Sequence, residues 1–101
     1  MNAPLELQIT DDARTQIAGA TAWWAANRPA APDAVLDELD RILGLLIQHP
    51  DIGARARRTT LTGVRRVTLF RIRYHLYYRV ANESLQVLAL WHTSQGRGPS
   101  L

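Results

Sequence analysis

Apolar and polar residues change rhythm twice along this chain. Residues 5–10, LELQIT, alternate: Leu5, Leu7 and Ile9 fall on one side, Glu6, Gln8 and Thr10 on the other. A period of two predicts a half-buried strand. Thr10 or Asp11 then caps a helix, with Asp11 and Asp12 near its positive end. Ala13, Ile17, Ala20 and Trp24 recur at helical spacing, until NRPAAP at 27–32 breaks the run. Asp33 can cap a second helix. Its apolar stripe is Val35, Leu39, Ile42 and Leu46, with Leu36, Leu43 and Ile47 beside it, and HPDIG at 49–53 stops it. Leu39 and Leu43 sit in mid-stripe. The short connection makes the two helices a hairpin.

From Gly63 the period returns to two. Val64 to Ala81 contains no glycine or proline. Strands usually run about 3–10 residues, so this stretch must turn once, and FRIR at 70–73 is the expected place. NES at 82–84 reads as a hairpin turn. LQVLALWH, 85–92, is apolar on both sides, which predicts a strand in the middle of a sheet. The order is β-α-α-β-β-β. It predicts a single α+β domain over 1–101, with the helical hairpin on one face of a mainly antiparallel sheet.

Charge sharpens this picture. All twelve basic side chains are arginine, and there is no lysine. Residues 1–51 set eight carboxylates against three arginines, a net of −5; residues 52–101 set nine arginines against Glu83 alone, a net of +8. The basic half favours an anionic partner, either nucleic acid or an acidic protein. The absence of cysteine excludes disulfides, zinc–thiolate sites and cysteine nucleophiles. No segment approaches the roughly 18 apolar residues of a membrane span, and MNAPLELQIT has no basic n-region or long apolar h-region. A cytoplasmic location is expected. His49, His75 and His92 are scattered without ligand spacing, so neither a metal nor another cofactor is expected.

Several stretches, taken together, resemble the RelE/ParE superfamily of toxins from type II toxin–antitoxin pairs. They are WWAANRP, HPDIGARARR, GVRRVTL, RYHLYYRV and VLALWHTSQGRGP, in this order and at these distances, and they span almost the whole chain. The resemblance implies two branches. RelE-like members are ribosome-dependent ribonucleases that cut mRNA. ParE-like members share the fold, lack the nuclease residues and poison DNA gyrase. Both are neutralised by a small cognate antitoxin, so a hetero-oligomer with that partner is expected.

RNA cleavage through the 2′-hydroxyl needs a base, an acid and positive charge at the phosphate. RelE-like enzymes take these from lysines, arginines and a C-terminal tyrosine; some relatives use a glutamate, an arginine and a histidine. Here lysine is absent, no tyrosine follows Tyr78, and Glu83 sits in a turn. The reading is therefore closer to ParE, a toxin that binds a protein target and is not itself an enzyme. The alternative is an mRNA endonuclease using His92 with Arg79 or Arg97. A third reading is an inactive homologue kept as an antitoxin-binding partner.

Strand alternation over 73–80 sets Arg73, His75, Tyr77 and Arg79 opposite Tyr74, Leu76, Tyr78 and Val80. The second set is the expected core. The first is either the solvated side of an edge strand or a contact surface for antitoxin or nucleic acid. Arg55, Arg57 and Arg58 in ARARRTT form a basic loop suited to the same partners. Trp24 falls on the Ile17–Ala20 stripe and Trp23 about 100° from it, at the rim. His92 is expected on one side with Leu88 and Leu90, tying down a tail, TSQGRGP, that lies back over the sheet. Gly96 and Gly98 flank Arg97 and leave its backbone free to present the guanidinium.

Overall fold

The computed structural model describes residues 3–101. Strand β1 (Glu6–Ile9) leads directly into helix α1 (Asp11–Asn27), and helix α2 (Ala34–Leu46) follows. Thr10 is the cap of α1: its hydroxyl accepts the Ala13 N–H at 3.2 Å, and Asp11 and Asp12 occupy the first turn. The Arg28 N–H closes the helix on the Trp24 carbonyl just before Pro29. Asp33 stands at the N-cap of α2, but its side chain makes no capping bond.

Beyond a single 3₁₀ turn at Pro50–Ile52 come β2 (Ala54–Arg55), β3 (Arg65–Leu69), β4 (Tyr74–Ala81) and β5 (Ser84–His92). The sheet order is β1-β5-β4-β3-β2, parallel between β1 and β5 and antiparallel elsewhere. The expected order thus gains a two-residue edge strand, β2, too short to leave a periodic signal. The long run turns at Phe70–Arg73, between the Leu69↔Tyr74 pair. Asn82 and Glu83 both take positive φ, 53° and 62°, and make the tight β4–β5 turn.

The main core lies between the hairpin and the sheet. Ala13 and Ala20 of α1 and Val35, Leu39, Ile42 and Leu46 of α2 meet Leu69, Leu76, Tyr78, Leu85, Val87 and Leu90. The stripe expected on α2 is buried, whereas its flank divides: Leu43 is half-buried and Leu36 exposed. A bulge on β5 pairs Tyr77 with Ala89 and Tyr78 with Val87, leaving Leu88 extra. Leu88 therefore turns away from the helices and does not share a side with Leu90 and His92. β1 ends opposite Val87, so the start of α1 borders the rest of β5. There Gln16 accepts the Leu90 N–H at 2.8 Å.

The opposite sheet face carries a second cluster of Val64, Tyr77, Leu88 and Ala89, covered by Ala56, Leu61, Trp91 and Leu101. The chain's end forms much of that cover. Trp91 Nε1–H donates to the Arg97 carbonyl at 2.6 Å, and Thr60 donates from its N–H and hydroxyl to the Leu101 main-chain oxygen at 2.6 and 3.0 Å. Burial on both faces explains why β5 lacks alternation.

Candidate functional site

Seven of the nine arginines of the basic half fall into two exposed clefts on opposite sides of the sheet. The tail cleft, about 710 Å³, lies over the face away from the helices. It gathers Arg55 from β2, Arg57 and Arg58 from the β2–β3 loop, Arg66 from β3 and Arg97 from the tail, above Tyr77. The loop is closed by an Ala56 N–H bond to the Val64 carbonyl, with Gly63 at φ 74° and Arg58 at φ 61°. A left-handed arginine is uncommon and marks a position held by its surroundings. Gly98 passes close over Tyr77, where an added Cβ would stand 3.5 Å from the phenol oxygen.

The turn cleft, about 630 Å³, lies at the other end and on the helix side. Trp23, Trp24 and Arg28 from the end of α1 meet Arg71 and Arg73 from the β3–β4 turn, beside Tyr74 and His92. The Arg28 guanidinium lies 5.3 Å from the Trp23 ring centre and 6.0 Å from that of Trp24. Trp24 packs on the core and Trp23 stays 47% exposed at the rim.

The expected sites are thereby regrouped. Arg55, Arg57, Arg58 and Arg97 come together, with Tyr77 beneath them. Arg73 leaves the alternating set, because it adopts φ 62° in the turn and joins the other cleft. β4 is an interior strand, not an edge, and Tyr77 is buried in the second cluster, not part of an open face. His75 is half-buried and pairs its Nδ1 with the Thr68 hydroxyl at 2.9 Å. Burial, aided by the Arg66 charge, lowers its pKa below the ordinary 6.5. Arg79 donates to Gln86 Oε1 at 2.9 Å, outside both clefts.

His92 accepts the Ser94 N–H on Nδ1 at 3.1 Å, within 2.7 Å of the Ser94 hydroxyl, and its ring meets Tyr74 edge-on. It ends β5 on the helix side, whereas Arg97 lines the tail cleft on the other. Tyr74 pairs with His92 and Arg79 with Gln86, so five residue steps along β4, roughly 17 Å, separate the histidine from Arg79. The fold does not assemble His92, Arg79 and Arg97 into one site.

Three contributors escaped the sequence reading. Arg66 reaches the tail cleft from a strand whose register was unknown. Arg71 hides in the turn. Arg28 had a readable signal: it follows Trp24 by four residues, which stacks the two on one helix face. Among the described residues, the ion pairs are Arg41–Glu38 and Arg65–Asp51, and neither involves an arginine of the clefts. Neither cleft is lined by a carboxylate. Guanidiniums gathered in this way have the chemistry of an anion clamp, and no histidine or carboxylate lines the tail cleft. Among the described residues no three histidine or carboxylate side chains converge, and no helix is long and apolar enough to cross a membrane.

A helical hairpin on one face of a mostly antiparallel five-stranded sheet is the architecture of the RelE/ParE superfamily of type II toxins. The family described as "ParE toxin of type II toxin-antitoxin system, parDE" matches residues 7–96, and the chain belongs to it. A solved structure described as "Chromosomal ParDE TA system from P. aeruginosa" is similar over 89% of this chain and 97% of that one, with a TM-score of 0.71 at 21% sequence identity. That likeness is one of fold. No curated protein matches the chain.

Proposed function

We propose that this ParE-type toxin arrests growth by holding a protein target, DNA gyrase being the candidate that the family resemblance suggests, and that a cognate antitoxin neutralises it in a cytoplasmic hetero-oligomer. The single observation behind this reading is the composition of the tail cleft. Five guanidiniums crowd one exposed surface, with no carboxylate, histidine or lysine among them. Arginine keeps its proton and serves as an anion clamp, not as a base. Such a surface suits binding without chemistry. The similar ParDE structure is a toxin–antitoxin system, which supports an antitoxin partner here as well.

The test is induced expression with and without a cognate antitoxin, followed by supercoiling assays on gyrase and mapping of mRNA ends. Growth arrest with inhibited supercoiling and intact mRNA is the expected result. A double Arg57→Ala, Arg97→Ala variant should retain its fold and lose most of the arrest. Ribosome-dependent mRNA cuts by the unaltered protein would replace this reading with the endonuclease. No arrest at any expression level would leave an antitoxin-binding homologue without activity.

A further inference from the structure

The turn cleft lies on the other side of the sheet from the tail cleft, and the two share no lining residue. We propose that it is a second, independent docking site for an extended acidic segment of a protein partner, carrying two or three carboxylates beside one bulky apolar side chain. The charge argument comes first. Arg28, Arg71 and Arg73 converge without a carboxylate in the lining, and none is ion-paired among the described residues. Like charges held together this way repel, and an arriving anion relieves the repulsion. The guanidinium fork matches a carboxylate in two-point contact.

The apolar argument is separate. Trp23 is 47% exposed and Phe70, on the same turn as Arg71 and Arg73, is 84% exposed. Large rings left in water beside a charged cleft suit a partner that supplies both acid and apolar groups. A nucleic acid strand fits less well. Arg28 already lies over the Trp23 ring, and Trp24 meets that ring at 70° with centres 6.1 Å apart, so one indole face is taken before any base could stack. The turn itself is held in shape. The Arg73 N–H bonds to the Leu69 carbonyl at 2.8 Å and the Thr93 N–H to the Arg73 carbonyl at 3.0 Å, so the arginines are presented from a fixed backbone. This proposal goes beyond the tail-cleft reading and does not depend on it.

The test is fluorescence anisotropy on the full chain with a fluorescein-labelled hexapeptide, Asp-Glu-Leu-Phe-Glu-Asp. Arg71→Ala combined with Arg73→Gly removes two charges while glycine keeps the positive φ of the turn. That variant should weaken the peptide about tenfold or more, Trp23→Ala should weaken it severalfold, and Arg57→Ala in the other cleft should leave it within about twofold. Thermal melts check that each variant is folded. Three results overturn the proposal: affinity lost in Arg57→Ala but kept in the turn variant, equal affinity for a peptide with serine in place of Leu-Phe, or tighter binding of hexauridylate through the same arginines.

Discussion

The Tyr78 hydroxyl accepts the Gly53 N–H at 2.8 Å and donates to the Pro50 carbonyl at 2.7 Å. One phenol thus ties the central strand β4 to the 3₁₀ turn and to the start of β2, from which the arginine loop springs. The tyrosine is fully buried, and burial, with a smaller push from Asp51, raises its pKa; the Gly53 N–H and Arg65 oppose the rise. Tyr78→Phe should cost about 1–3 kcal/mol in a urea melt, because it strands a buried N–H. Gly53→Ala should cost a similar amount for a steric reason. Its backbone, φ −70° and ψ 152°, suits any residue, but an added Cβ would fall 2.6 Å from the Tyr78 oxygen and 3.0 Å from the Arg66 carbonyl. An alanine variant as stable as the parent would mean that Tyr78 can swing aside freely.

The two leucines of the α2 mid-stripe should differ. Leu39 is 5% exposed within the main core, and Leu43 only half-buried against it. Leu39→Ala should cost about 2–5 kcal/mol and Leu43→Ala distinctly less, measured as shifts in the denaturant midpoint. Equal losses would show that the hairpin settles more deeply than its geometry indicates.

The elements were legible where a stripe is long and one-sided. Val35, Leu39, Ile42 and Leu46 announced α2, and the proline-bearing NRPAAP announced its boundary. The site was legible only in part, for reasons of geometry. Alternation assigns a face only while a strand stays regular. The bulge at Leu88 reversed one assignment, and the positive φ of Arg73 reversed another. The basic loop and Arg97 are some forty residues apart, and only the folding back of the tail joins them, through Thr60 and Leu101. No local pattern encodes that contact. An interior β5 could be read from its apolar faces. The interior position of β4 could not, because its outward side mixes His75, Tyr77 and Arg79, as an edge strand would.

Acid should weaken the fold partly through His75. Burial and Arg66 lower its folded pKa below the ordinary 6.5. Above about pH 6.5 the imidazole is neutral in both states and contributes no slope. As the pH falls below that value the unfolded chain takes up the proton first, so stability is lost until the folded pKa is passed. The urea midpoint should therefore drop between about pH 7.5 and pH 5 by more in the parent than in His75→Gln. Identical drops would remove His75 from the acid response. Comparison with the variant isolates the share of this one side chain.

His92 provides the sharpest contrast between binding and catalysis. Its Nδ1 accepts the Ser94 N–H, so the neutral ring carries its proton on Nε2. The imidazole closes the turn after β5 and presents its edge to Tyr74 at a centroid distance of 5.0 Å. A glutamine carbonyl can take the same N–H, at a cost of about 1 kcal/mol or less. No arginine of the tail cleft shares its side of the sheet, and Arg79 lies five residues away along β4. Arg28, Arg71 and Arg73 do border His92 in the turn cleft, but no carboxylate or second histidine lines that cleft to complete an acid–base pair. His92→Gln should therefore arrest growth as the parent does, and Arg97→Ala should weaken the arrest. The two variants need to be compared at matched expression, with melts to confirm folding. A folded, harmless His92→Gln protein that has lost mRNA cleavage would reverse the assignment and make this histidine the catalyst.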